Sequence, residues 1–181
     1  DDEEIIMEFN APVAQLGTEK FMTLAEAVEA AQPNETIELI NNAKGNGIVI
    51  NKSLTIDFAG FAYTFVEQGV GDTKTKSNGF QIKKDNNVTL KNGTLNVAEE
   101  WKEKFYILIQ NYSNLTVENM ELDGTNLDMW SDTDGDSYVI SNNSGSVNIT
   151  GNTTITANDY SSVTPSKAFA FDACDQTSKG Y

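Results

Sequence analysis

The chain has 181 residues, 39% apolar and 22% charged, enough for one globular domain with its own core. Twelve lysines, no arginine and no histidine stand against 27 carboxylates, and the net charge of −15 repels phosphate backbones and anionic membrane surfaces, which sets nucleic acid aside as a partner. No apolar run approaches the roughly 18 residues of a membrane span, and the single cysteine, Cys174, cannot form an internal disulfide.

Residues 1–12 read as a leader or attachment segment. Four acidic residues are followed by an apolar stretch at 5–9 that either adds a strand at the edge of the fold or attaches to a partner. The chain opens on Asp1 rather than Met, so a processed or excised piece of a longer protein is expected. A helix is predicted over 23–32: Thr23 with Glu26 three residues on is a capping box, and Pro33 ends it. Leu24, Ala27, Val28 and Ala31 share one face, placed to lie on the open edge of a stack.

From residue 53 the chain repeats itself. N-V-T-L-K-N-G-T-L at 87–95 is matched by N-L-T-V-E-N-M-E-L at 114–122, by residues 146–155 with one residue added at the turn, and more weakly by 53–61, where Phe58 replaces the Asn or Gly. The leading apolar residues Leu54, Val88, Leu115 and Val147 lie 34, 27 and 32 residues apart, a period that marks a stacked-repeat architecture. Each copy reads as two short strands of period two, separated by Asn or Gly residues that tolerate a left-handed bend. A further apolar strand precedes each, at 79–82, 106–109 and 137–140, and another stands alone at 168–171. Three short strands per unit with corners between them predict an all-β fold, a parallel β-helix of about four to five coils over 13–181, roughly 20 to 25 Å tall. Asn92, Asn119 and, in the third copy, Asn152 are expected to form an inward ladder of stacked amides at one corner.

Loops of unequal length separate the copies, at 68–77, 98–104, 123–136 and 157–167. Insertions on a regular scaffold are where such a protein keeps its function. Asp132, Asp134 and Asp136, with Gly135 between the last two, have the alternating carboxylates of a calcium loop, but neither the Gly position nor a closing Glu matches an EF-hand. A solvated acidic turn is the competing reading. Trp101 and Trp130 follow the last strands of adjacent copies and are candidates for stacking on sugar rings, the alternative being that they fold back over the core. Nine Asn-x-Ser/Thr sequons are by-products of Asn at corners and Thr on strands.

The helix T-L-A-E-A-V-E-A-A at 23–31, the strand E-T-I-E-L at 35–39 and the N-V-T-L-K-N-G-T-L repeats together resemble the pectin-lyase-like right-handed parallel β-helices, over residues 13 to 173. In that superfamily a helix of this kind caps the stack and such a strand opens it. The fold occurs in polysaccharide lyases and hydrolases, in bacterial surface proteins and in phage fibres. The resemblance therefore implies either of two functions: a non-catalytic structural or adhesive module, or a polysaccharide-acting enzyme. The pectate lyases would imply an Arg base beside Asp-held calcium, and the polygalacturonases paired Asp with a His. With no Arg and no His, neither set carries over to this chain. The expected role is thus the non-catalytic module, extracellular on a cell surface or virion, with a surface glycan or other chains of the same assembly as partner, a trimer if it is a fibre. No cofactor is expected apart from the candidate calcium. The strand at 168–171 begins a coil that 174–181 cannot cap, so further coils or a partner chain are expected at that end.

Overall fold

The computed structural model describes residues 11–71, 77–128, 136–159 and 167–175. Residues 5–9 lie outside them. The described chain enters through a hairpin that the repeat pattern does not announce. Strands β1 (Ala14–Leu16) and β2 (Glu19–Phe21) pair antiparallel, and between them Gly17 takes the left-handed φ of 57° that the tight turn needs. Helix α1 (Leu24–Ala30) follows. Thr23 caps it: its hydroxyl accepts the Glu26 N–H at 3.1 Å, and the Glu26 carboxylate accepts the Thr23 N–H at 3.1 Å. Leu24, Ala27, Val28 and Ala31 are buried, as the spacing predicts.

Three strands open the solenoid, β3 (Thr36–Leu39), β4 (Ala43–Gly45) and β5 (Ile48–Ile50). The next coil repeats them as β6 (Leu54–Asp57), β7 (Ala62–Phe65) and β8 (Asn78–Ile82). In the two coils after it the first two strands merge through the bend: β9 (Asn87–Val97) is followed by a 3-10 helix over Glu99–Lys104 and β10 (Ile107–Asn111), then β11 (Asn114–Asp123) by β12 (Ser137–Asn143). The last strands are β13 (Ser146–Thr150), β14 (Thr154–Thr156) and β15 (Ala168–Cys174). One sheet stacks β3, β6, β9, β11 and β13, with β4, β7 and β14 extending it around the bend; the second stacks β5, β8, β10, β12 and β15. All pairing along the stack is parallel, which completes the predicted all-β parallel solenoid with its N-terminal helix.

The number of coils differs from the expected four to five. About three turns are complete. The coils begun by β6, β9 and β11 are laddered in parallel on both sides, whereas β3 to β5 and β13 to β15 have a parallel neighbour on one side only among the described residues. Repeat spacing marks each passage of the chain but not whether a passage is covered above and below. The first sheet's edge is covered differently from the sequence expectation too: β1 pairs antiparallel with β3, Ala14 opposite Leu39, so a hairpin shares that end with the helix.

The interior is built of columns. Ile37, Ile56, Leu90 and Val117 are in register one above the other and fully buried, as are Phe80, Ile109 and Ile140 in the second sheet. Each such side chain removed from water contributes roughly 1.5 to 3 kcal/mol.

Candidate interaction faces

On a parallel ladder, residues of one column point the same way, so a residue type repeated in the sequence becomes a rank on the surface. The outer face of the first sheet carries three such ranks. Thr36, Thr55, Thr89, Thr116 and Asn148 form the first, in continuous register and at least partly exposed. Beside it run Ser53, Asn87, Asn114 and Ser146, joined into a chain of hydrogen bonds. The Asn87 N–H donates to the Ser53 hydroxyl at 2.9 Å, the Asn114 amide to Asn87 Oδ1 at 3.1 Å, and the Ser146 hydroxyl to Asn114 Oδ1 at 2.7 Å. On the other side lie Glu38, Asp57, Lys91, Glu118 and Thr150, within which Lys91 pairs with Asp57 at 3.4 Å. Two of the three ranks therefore form a lattice of hydroxyl and amide groups repeating at roughly 4.8 Å along the stack, bordered by the charged third.

Asp57 anchors one corner of this lattice. Partial burial alone would raise its pKa, but the Asn92 amide at 3.1 Å, the Ala59 N–H at 3.0 Å and the Lys91 ammonium outweigh it and hold the carboxyl below the usual carboxylate range. Because the folded pKa is depressed, this stabilisation is present above the unfolded-state value and is lost as pH falls through the folded one. An Asp57→Asn variant is expected to unfold with a shallower loss of stability between about pH 5 and pH 2 than the parent chain, measured by urea titration across that range. Identical acid limbs would show that Asp57 is not held this way.

Asn92 and Asn119 do stack, the Asn119 amide donating to Asn92 Oδ1 at 3.4 Å, but they lie outside the solenoid and not inside. Both take the left-handed conformation, with φ of 63° and 51°. A bend of that kind inserts a residue, so two consecutive side chains share the outer side: Val117 and Met120 are buried, and Glu118 and Asn119 between them are not. Asn152 joins through its backbone, its N–H donating to Asn119 Oδ1 at 3.0 Å, because Gly151 occupies the bend position in that copy with φ of 62°.

An inward amide ladder exists elsewhere. Asn111 and Asn142 are in register at the ends of β10 and β12 and buried. The Asn111 amide donates to Asn142 Oδ1 at 2.8 Å, to the Ser113 carbonyl at 2.9 Å and to the Ser146 carbonyl at 3.2 Å, and its Oδ1 accepts the Ser113 N–H at 3.1 Å. One amide thus satisfies the backbone of two successive corners. The signal was present in the sequence, since N-x-S recurs at 111–113 and 142–144 just before two copies of the repeat.

The second sheet buries polar groups on its outer side as well. The amides of Asn78 and Gln81 both donate to Gln110 Oε1, at 2.7 and 2.8 Å, and Ser141 continues the rank of Gln81 and Gln110 in register. Of the predicted calcium ligands, Asp136 accepts the Tyr138 hydroxyl at 2.8 Å and lies 3.8 Å from the Lys167 ammonium, while Asp132 and Asp134 lie outside the described residues. Burial first, and then the Asp136 carboxylate, push the Tyr138 hydroxyl above its ordinary pKa. Trp101 is partly buried and packs against the core, and Trp130 lies outside the described residues. Among the described residues no three carboxylate, Cys or His side chains converge, and no helix is long and apolar enough to cross a membrane.

Comparisons with known proteins return no matching family model, no match among curated proteins and none among solved structures.

Proposed function

We propose that the chain is a non-catalytic structural or adhesive β-helix module of the pectin-lyase-like kind, displayed outside the cell on a bacterial surface or a virion fibre. The observation that carries this reading is the rank of Thr36, Thr55, Thr89, Thr116 and Asn148, flanked by the hydrogen-bonded Ser53, Asn87, Asn114 and Ser146. A rigid, evenly spaced array of neutral donors and acceptors suits an extended polymer with many hydroxyls laid along it, each rung adding one weak contact of the same kind. The net charge of −15 favours a neutral glycan over a uronic-acid polymer, which would be repelled.

The test is binding of the chain to immobilised neutral and acidic polysaccharides, beside a variant in which Thr89 and Thr116 are both Val. Valine keeps the volume and strand preference of threonine and removes only the hydroxyl. The expected result is retention on neutral glycans, lost at least about tenfold in the variant, with each rung contributing roughly 1 kcal/mol, and an unchanged melting curve. Chain that binds none of the panel, or a variant that binds as well as the parent, would refute the adhesive reading.

A further inference from the structure

The end of the stack formed by β13, β14 and β15 differs from the rest of the molecule. Ile149 completes the column of Ile56, Leu90 and Val117, yet it is 44% exposed where they are fully buried. Phe171, in line with Phe80, Ile109 and Ile140, is 42% exposed. Proteins guard free strand edges with charge, proline or a bulge. The β13–β14 side of this edge has no charge: residues 137–158 are 22 positions without Asp, Glu, Lys, Arg or Pro, in a chain with 27 carboxylates, while β15 carries Asp172. The opposite end, by contrast, is closed by α1 and the antiparallel hairpin.

Hydrogen-bond parity shows what the edge of β13 offers. The Ser146 N–H donates to the Ser113 carbonyl at 2.8 Å, toward β11. In a parallel ladder alternate residues face the same neighbour, so Ser146, Asn148 and Thr150 turn their backbone groups toward β11, and Val147 and Ile149 turn theirs to the side where β13 has no strand neighbour among the described residues. The strand is complementary to itself in one register. Antiparallel to a second β13 and centred on Asn148, it places Val147 opposite Ile149 as a hydrogen-bonded pair twice over. The apolar residues of both copies remain on the inner side, Ser146 meets Thr150 on the outer side, and no charge is brought to the seam.

We propose that the β13 edge is a self-pairing surface through which two copies of this chain join with two-fold symmetry, Asn148 beside its counterpart on the axis. This goes beyond the glycan reading and does not depend on it. An isologous interface is the kind a single self-complementary edge can close without growing into a filament.

In that register Asn148 and its counterpart form a non-hydrogen-bonded pair with Cα atoms about 4.5 Å apart, within disulfide range. The test uses the 181-residue chain with Cys174→Ser, carrying either Asn148→Cys or Thr116→Cys, the latter in the same column one coil inward. Under mild oxidation Asn148→Cys is expected to form a covalent dimer at least about tenfold faster than Thr116→Cys. Sedimentation of the unmodified chain should show a dimer that strengthens with salt, as screening relieves the repulsion between two chains of charge −15. Ile149→Lys, at an exposed position, should leave a folded monomer by circular dichroism and sedimentation. A chain that is monomeric at all concentrations, equal cross-linking of the two cysteine variants, or a dimer untouched by Ile149→Lys would each overturn the proposal.

Discussion

Replacing Phe80 by alanine is expected to destabilise the protein by about 3 to 5 kcal/mol, the largest effect of any single substitution considered for the core. Phe80 is fully buried and belongs to an aromatic cluster: its ring meets Phe65 edge-on at 5.1 Å and stacks on Tyr63 at 6.0 Å, while Phe65 reaches Phe105 at 5.7 Å. Truncation loses the transfer free energy of the ring and leaves a cavity. The surroundings cannot collapse into it, because these rings are mounted on laddered strands and on the segment behind the 3-10 helix. Urea unfolding of the variant, with an unchanged dependence on denaturant, would measure this. A loss under about 1 kcal/mol would mean that the cluster rearranges to fill the space.

The second large effect is expected at Asn111. Its amide ties together Asn142, Ser113 and Ser146 within a buried corner, so Asn111→Ala strands Asn142 Oδ1 and the Ser113 N–H away from water at about 1 to 3 kcal/mol each. The companion measurement is Asn119→Gly. Asn119 is exposed and already left-handed at φ of 51°, a conformation glycine adopts without strain, so its loss should cost under about 1 kcal/mol. Equal losses at the two positions would contradict the assignment of one amide to the interior and the other to the surface.

The contrast between these asparagines shows how far the sequence could be read. Both stand in repeated motifs, and stacking was foreseeable from repetition alone. The direction of stacking was not. At Asn119 the sign of φ inserts a residue and turns the side chain outward, whereas Asn111 ends a regular strand and keeps the inward phase of Ile109. The same limit applies to Trp101. Its place after a strand was legible, but its packing against the core depends on a 3-10 turn with no periodicity to announce it.

By itself the sequence determined the fold class, the capping box at Thr23 and Glu26, and the register of the stack. Leu54, Val88, Leu115 and Val147, aligned as text, are aligned as ladder partners. The reason is that every turn of a solenoid meets the same environment, so alternation of apolar and polar residues must recur in phase from one turn to the next. Tertiary structure alone decided which corner amide faces inward, that a hairpin pairs with the first coil, and that Ile149 and Phe171 remain exposed while their column mates are buried. Those outcomes depend on the sign of one backbone angle or on the presence of a neighbour, and neither leaves a period in the chain.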